Sequence, residues 1–467
     1  MRKSLIGLFV LLVLSVSVLA ASVNVMDDQK DEIVITDETM YGDPEAVDGL
    51  TVTTTLHDDY RLFWETSYEA GADPQAATEF RYYTSQQYEI GDSDYGNFDL
   101  QMNVNFGMGG DIDLEAIESG EDENWENHYD HMFLPAIEVA ARTPAGETRT
   151  EIVNLRDYYD YFRIGLNYHI PAANVHFWDG NQRQVFEDIN DYFRIPVPDE
   201  LWLEVTITKD LNGDVIEVDF WDVGSPAGMD EMPPDHEMWQ AYSQSVCTPD
   251  GVFFTLSGNA DFSQIQGGYG VYFLPIVTEN GGGYLDTANL RNIYPMDPAS
   301  VQEVSVFLSQ DETKLYLLTR EGEDYFLTVL SRAERTLLQR VGLGQLEEMP
   351  AVWMAENVMT LLSGNYETQE YTLQVFDCRD ELLSLWLETP MYPLNDDTVW
   401  YYEPHLLFDG ETLVIAGFYN NWDTASHRIL LYDREGLQYA GDYTSTADLL
   451  PDRLRTEDGG GMEIRWG

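Results

Sequence analysis

From residue 50 onward, short runs of β-branched and aromatic residues alternate with clusters of Gly, Asp, Asn and Pro. Runs of this length between turn residues are typical of strands, and we find no segment with convincing helical periodicity over three turns. The clearest hairpin joins residues 203–209 to 215–221 through Asn212-Gly213, which favours a type I′ turn. Residues 137–141 and 148–155 are expected to form a second hairpin. The pattern therefore predicts an all-β protein.

The second half of the chain contains a repeat of four strands joined by short turns. Its third strands begin at Val271, Tyr325, Tyr371 and His427, which are 46 to 56 positions apart. Repeats of about 40 to 50 residues with four strands each are typical of β-propeller blades. The regular blades cover about residues 242–443, and a blade length of about 50 residues gives seven or eight blades for the whole body.

The first half is less regular, so a β-sandwich domain followed by a partial propeller is the alternative fold. Residues 462–466 are strand-like at the C-terminus, and they are expected to pair with residues near 50–56 to close the ring.

The N-terminal residues predict export. Positive charges at Arg2 and Lys3 precede an apolar run over residues 5–19, and small residues follow, which is typical of a signal peptide cleaved after Ala20. If it stays uncleaved, the same run would anchor the chain in a membrane. Residues 21–49 are acidic and polar. The expected organisation is a signal peptide at 1–20, an acidic spacer at 21–49 and a β-propeller body at 50–467.

The chain also resembles two groups of exported proteins. The strand rhythm over about residues 242–443 resembles exported β-propellers, which implies a fold and no activity. The segments 41–52 and 61–66, which read YGDPEAVDGLTV and RLFWET, resemble the opening of an uncharacterised group of exported proteins from clostridial-type bacteria. This second resemblance implies no activity.

Charge narrows the possible partners. The chain has 84 acidic against 24 basic residues, a formal net charge of -60. Such a polyanion cannot obtain the counterion release that drives nucleic-acid binding. The charge favours a soluble monomer kept apart by self-repulsion, and the alternative is a salty or cation-rich surrounding that screens the repulsion.

Motifs for catalysis and metal binding are weak. Asp111, Asp113 and Glu115 precede the cluster His128-Tyr-Asp130-His131, which suits either a metal site or a solvated acidic insertion. Asp210, Asn212, Asp214 and Glu217 could offer oxygens to calcium, but their spacing is better explained by a turn. We therefore expect no catalytic residues, no resident metal and no cofactor, with calcium as the alternative. Cys247 and Cys378 fit either a disulfide or two buried thiols.

Aromatic and polar residues are concentrated in loops that would share one face of a propeller. Such rings can stack on sugars or anchor a protein, although they can equally belong to the core between blades. Phe262 and the cluster of Tyr158, Tyr159 and Tyr161 show the same ambiguity. The predicted ligand-binding residues are Tyr392, Trp400, Tyr401, Tyr402, Glu403, Asn420, Asn421, Trp422 and Asp423.

These observations favour an extracytoplasmic binding protein without chemistry of its own, which engages a carbohydrate or another extracellular protein. One alternative is a secreted polysaccharide hydrolase or lyase, which would need two carboxyls about 5 to 10 Å apart. The other is a membrane-anchored sensor or envelope-assembly partner that retains its N-terminal run.

Overall fold

A computed structural model describes most of the chain. The described residues are 30, 33–58, 62–83, 96–121, 131–173, 175–176, 182–228, 237–279, 282–346, 348–365, 370–391, 404–418, 426–446 and 461–467. The predicted signal peptide lies outside them. No helix within these ranges is long and apolar enough to cross a membrane.

Strands dominate the described residues. In chain order they are β1 Ile35–Gly42, β2 Leu50–Asp58, β3 Leu62–Glu69, β4 Ala77–Tyr82, β5 Asn97–Asn103, β6 Phe106–Ile112, β7 Thr148–Asn154, β8 Gly165–Ile170, β9 Val175–His176, β10 Trp202–Lys209, β11 Val215–Asp222, β12 Gln240–Thr248, β13 Gly251–Gly258, β14 Gly270–Glu279, β15 Gly282–Leu285, β16 Arg291–Pro295, β17 Val301–Leu308, β18 Lys314–Glu321, β19 Asp324–Ser331, β20 Leu337–Gln345, β21 Ala351–Ala355, β22 Val358–Asn365, β23 Glu370–Asp377, β24 Ser384–Pro390, β25 His405–Phe408, β26 Leu413–Phe418, β27 Ser426–Asp433, β28 Gly436–Ser445 and β29 Gly461–Trp466. The helices are α1 Leu114–Ser119, α2 Leu134–Arg142 and α3 Gln182–Tyr192.

The chain divides into two compact units. One, called here the terminal unit, comprises residues 1–89 and 346–467, and the other, called the middle unit, comprises residues 90–345. The described strands of both units form six sheets, whereas the repeat length predicts seven or eight blades. The all-β prediction is confirmed, and so is the propeller-type blade of four antiparallel strands.

The terminal unit contains three such sheets. Their strand orders are β21-β22-β23-β24, β25-β26-β27-β28 with β1 added beside β28, and β29-β2-β3-β4. The predicted pairing of the C-terminus is confirmed, because β29 runs antiparallel to β2 with Trp466 opposite Leu50.

Packing of these sheets explains the apolar runs in the sequence. Side chains of β26 and β27 alternate between two clusters, with Val414 and Ile429 packed among residues of β2 and β3, and Ile415 and Leu430 among residues of β23. The central strands β26 and β27 of this sheet are thus buried on both faces. A strand covered on both faces needs apolar residues at consecutive positions, which the sequence of β26 shows.

The prediction of an acidic spacer at 21–49 is wrong for residues 35–49. Strand β1 pairs antiparallel with β28 from Ile35 opposite Ser445 to Gly42 opposite Tyr439, and Val47 is fully buried just after it. Only Ile35 of β1 is buried, while most of its other side chains are exposed. The strand is held by backbone pairing at a sheet edge, so its side chains leave no apolar alternation in the sequence.

The end of β1 gives a direct test of this pairing. A Cβ at Gly42, whose φ is +78°, would lie 1.9 Å from the carbonyl oxygen of Gln438. We therefore expect Gly42→Ala to destabilise β1 by about 2 kcal/mol and to speed hydrogen exchange over residues 35–42.

Gly49→Ala is the matched control for Gly42→Ala. Gly49 has a similar φ of +84°, but a methyl group at this position would meet nothing within 4 Å, so the substitution carries only the backbone cost of about 1 kcal/mol. Equal exchange in the two variants would contradict the close approach of β1 to β28.

The middle unit contains the two remaining predicted repeats, whose third strands are β14 and β19, and further strands that lie outside the repeats. Its sheets are β17-β18-β19-β20, β6-β11-β10-β7, and an eight-stranded sheet in the order β15-β14-β13-β12-β5-β8-β9 with β16 beside β14. Phe253 and Val271 of the eight-stranded sheet pack with Leu315 and Leu317 of β18. The third strand of each predicted repeat is present, and it begins one residue before its predicted start.

The predicted hairpin of residues 137–141 and 148–155 is wrong. Residues 134–142 form α2, with Pro135 in its first turn and Ala136, Val139 and Ala140 buried on one face. Pro is favoured at the start of a helix, and this spacing is a helical one. Strand β7 pairs instead with β10. Helix α3 is a further element that the sequence pattern does not reveal.

The hairpin of β10 and β11 is confirmed, but its turn is not type I′. Gly213 has a positive φ of 99°, whereas Asn212 does not, and type I′ requires both. The carboxylate of Asp210 instead accepts the backbone N–H groups of Asn212, Gly213 and Asp214 at 2.8 to 2.9 Å. Desolvation of this carboxyl acts to raise its pKa, but those hydrogen bonds outweigh it and lower the pKa. The carboxylate therefore serves the turn.

Both cysteines are thiols in the structure. Cys247 is buried, and desolvation, with a smaller contribution from Asp99, raises its pKa to about 12. The Sγ atom of Cys378 donates to the carbonyl of Phe376 at 3.5 Å. The structure therefore contains no disulfide between Cys247 and Cys378.

Candidate functional site

All nine residues that the sequence predicts as ligand-binding lie outside the described residues. Tyr392, Trp400, Tyr401, Tyr402 and Glu403 belong to the segment 392–403, and Asn420, Asn421, Trp422 and Asp423 belong to 419–425. Their role stays a prediction. The site described below is built from other residues.

Three of the remaining aromatic candidates support the fold, whereas Tyr161 is exposed. Phe262 is buried and stacks on Tyr269 with ring centroids 5.2 Å apart. The hydroxyl of Tyr159 accepts the backbone N–H of Leu134 at 3.0 Å, and that of Tyr158 donates to Glu138. Burial, followed by the hydrogen bond to Glu138, raises the pKa of Tyr158 to about 12. Both tyrosines thus hold α2 in place.

An open cleft of about 440 Å³ lies in the middle unit and is called here the acidic cleft. Its walls come from the end of β6, the start of α1, one face of α2 and the turn between β10 and β11. Its charged lining residues are Asp111, Asp113, Glu115, Asp214 and Lys209, and its apolar ones are Ile112, Leu114, Ile137, Ala140, Ala141 and Val215.

Local sequence explains how these walls are placed. Asp113 is the N-cap of α1, where its carboxylate accepts the N–H of Ala116 at 3.0 Å. On α2, Ile137, Ala140 and Ala141 recur at helical spacing and therefore share one face. Strand β6 pairs with β11, with Ile112 opposite Val215. This pairing brings the acidic run at 111–115 beside Asp214, about a hundred positions later in the chain.

Four carboxylates and one ammonium group give the acidic cleft a negative potential. Asp111, Asp113, Glu115 and Asp214 are exposed, whereas Lys209, one of four lysines in the sequence, is half-buried. The floor is apolar, because Leu114 and Val215 are 4% and 8% exposed. The geometry thus combines an aliphatic floor with an acidic rim, which suits binding of an amphipathic ligand.

Helix α1, which forms one wall of the acidic cleft, is tied to the rest of the middle unit by an ion pair. Glu118 lies 3.4 Å from Arg163, which also donates to the carbonyl of His131 at 3.4 Å. Burial raises the pKa of Glu118, while Arg163 and the backbone N–H of Phe133 act in the opposite direction. This acid is engaged in holding the helix.

The predicted metal cluster is only partly described. Asp111, Asp113 and Glu115 line the acidic cleft, the ring of His131 stacks on Phe106 at 4.0 Å, and His128 and Asp130 lie outside the described residues. Among the residues with described positions, no group of three or more His, Cys, Asp or Glu is arranged to hold a metal ion.

A second cluster of titratable groups is buried in the terminal unit. His427 of β27 contacts the hydroxyl of Tyr68 through Nε2 and stacks on Tyr443 at 5.8 Å. The hydroxyl of Tyr443 accepts the N–H of Gly71 at 2.9 Å and bonds to that of Tyr439 at 2.8 Å. Burial lowers the pKa of His427 to about 3 and raises those of the three tyrosines. The cluster is neutral at physiological pH and joins two sheets.

Known proteins resemble this chain only weakly. No family model and no curated protein matches the chain. Similar solved structures include TolB from Acinetobacter baumannii, with 13% identity over 64% of this chain and 79% of that one and a TM-score of 0.21. The β-propeller domain of Cps50 (Swd1) from Myceliophteria thermophila has 11% identity over 52% and 82%, with a TM-score of 0.23.

A third similar structure is the periplasmic gluconolactonase of Pseudomonas aeruginosa, with 13% identity over 52% of this chain and 77% of that one and a TM-score of 0.21. TM-scores this low support no conclusion about the fold or the function of this chain. The fold stands on the strand order and pairing described above.

The sequence displays only part of the acidic cleft. The run at 111–115 is conspicuous, but Asp214 and Lys209 follow about a hundred residues later, and the sequence pattern predicts a strand where α2 lies. The Asn-Gly turn is the one usable indication, since it marks where the β10–β11 hairpin presents its tip.

Proposed function

We propose that the protein acts outside the cytoplasm as a binding protein without chemistry of its own and engages a protein ligand at the acidic cleft. The observation that carries this proposal is the cleft itself, an open concavity with an apolar floor that folding leaves exposed. The N-terminal sequence supports the extracytoplasmic location.

Of the two ligand classes expected from the sequence, the acidic cleft favours protein. None of the described residues lining it is aromatic, so this described part of the lining presents no ring on which a sugar could stack. Aliphatic residues flanked by charges are suited to a polypeptide, whose side chains carry both apolar and ionic groups.

The test is to fill the cleft. Ala141 is an exposed lining residue on α2, so Ala141→Trp places a large ring in the concavity. A phage-displayed peptide library and a glycan array are screened against the mature protein. We expect the peptides selected by the wild type to lose at least about tenfold in affinity for Ala141→Trp, equivalent to about 1.4 kcal/mol.

Ala299→Trp is the matched control, because Ala299 is exposed in a turn of the same unit and does not line the cleft. Peptides that bind both variants equally would place the ligand elsewhere. Binding to glycans alone would favour the carbohydrate alternative.

A further inference from the structure

We infer that the ligand of the acidic cleft is a cationic, amphipathic polypeptide segment of a partner protein. The inference rests on the function proposed above and specifies its partner. It starts from the charges, because Asp111, Glu115 and Asp214 present exposed carboxylates around an apolar floor. Lysine or arginine side chains of a partner complement such a rim and also speed its approach.

A further exposed apolar side chain lies in the turn that forms one wall of the cleft. Leu211 is 90% exposed and stands in the same turn as the lining residues Gly213 and Asp214. A leucine at the tip of a turn gains from burial only if another molecule covers it, so a partner that reaches this tip buries further apolar area. A partner that complements this surface therefore carries leucine-type side chains as well as cations.

The shape of the α2 wall favours a bulky secondary structure in the partner. Ala140 and Ala141 are small and line the cleft beside Ile137. Small residues on a helix surface let a second backbone come close, so that its side chains reach the floor. A helix with lysines flanking a leucine stripe complements all three features: its lysines pair with the acidic rim, its leucines contact the apolar floor, and its backbone packs against the α2 wall.

The net charge of -60 affects both the kind of partner expected and the interpretation of any binding experiment. Acidic segments are repelled by the chain as a whole, while any polycation is attracted to it without specificity. A test must therefore separate attraction to this site from attraction to the whole surface, which charge-matched variants and a composition-matched peptide achieve.

The test uses the full mature protein and a synthetic Leu/Lys peptide of about 18 residues, or five helical turns, with its leucines on one face. A scrambled peptide of identical composition has no apolar face. Calorimetric titration is run at about 50 and about 300 mM NaCl, since the Debye length falls over this range. We expect the amphipathic peptide to bind at least about tenfold more tightly than the scrambled one.

The triple variant Asp111→Asn, Glu115→Gln, Asp214→Asn should weaken that binding by about tenfold and flatten its salt dependence. Asp113 is kept because it caps α1. The control triple Asp160→Asn, Asp191→Asn, Asp199→Asn removes equal charge from carboxylates that are 80%, 76% and 94% exposed and lie outside the cleft. It should change binding by less than about twofold.

Three results would overturn the inference. The first is equal binding of the amphipathic and scrambled peptides, and the second is an equal loss of affinity in the two triple variants. The third is selection of neutral or acidic peptides whose affinity falls in Ala141→Trp. In the last case the proposed function stands and only the partner chemistry fails. If Ala141→Trp leaves every selected ligand bound, the proposed function itself fails.

Discussion

Replacing Arg428 by Met is expected to destabilise the terminal unit by about 3 kcal/mol, because it leaves a carboxylate without its partner inside the fold. Arg428 of β27 is 2% exposed, and its Nε and Nη2 atoms donate to the two carboxylate oxygens of Asp442 at 2.6 and 2.8 Å. Urea unfolding gives the loss, and hydrogen exchange over residues 426–446 locates it.

A double-mutant cycle separates the pair from its surroundings. Arg428→Met combined with Asp442→Leu removes both charges and should recover much of the stability, since a buried pair is often replaceable by apolar residues. Arg81→Met is the control, because the pair of Arg81 with Glu65 at 3.2 Å is exposed and should change stability by less than about 1 kcal/mol. If Arg428→Met costs no more than Arg81→Met, the paired geometry is wrong.

Acid should destabilise the terminal unit through His427. Its imidazole is fully buried beside Tyr68, Tyr443 and Phe418, and burial lowers its pKa to about 3. In the unfolded chain the pKa returns to about 6.5. Above about pH 6.5 the group is neutral in both states and contributes no pH dependence. Below it, only the unfolded state gains a proton, so stability falls by about 1.4 kcal/mol per pH unit until about pH 3.

His427→Gln removes this titration and keeps a polar side chain for the hydroxyl of Tyr68. We expect a lower stability than the wild type at about pH 7, because the ring packing is lost, and a shallower decline from about pH 6.5 to about pH 4. The measurement is the free energy of urea unfolding across that range. His169→Gln, at an exposed position of β8, is the control. Parallel pH profiles for wild type and His427→Gln would show that His427 is not buried in its neutral form.

Strand rhythm is the most informative property of the sequence. It locates the third strands that contain Val271, Tyr325, Tyr371 and His427 to within one residue, because a strand covered on both faces must be apolar at consecutive positions. It also indicates the pairing of β29 with β2. These features depend on local side-chain pattern, which a single sequence displays directly.

Other elements leave no such pattern. Strand β1 is held by its backbone while most of its side chains face solvent. Helix α2 resembles a strand in sequence because its apolar residues form too short a run to distinguish the two periods. The acidic cleft combines Asp111 with Asp214 only after β6 pairs with β11. The sequence by itself therefore determined the class of fold, the regular repeat units of about residues 242–443 and the charge. Tertiary pairing decided where the N-terminal strand lies and which charged residues share a surface, because both depend on contacts between positions far apart in the chain.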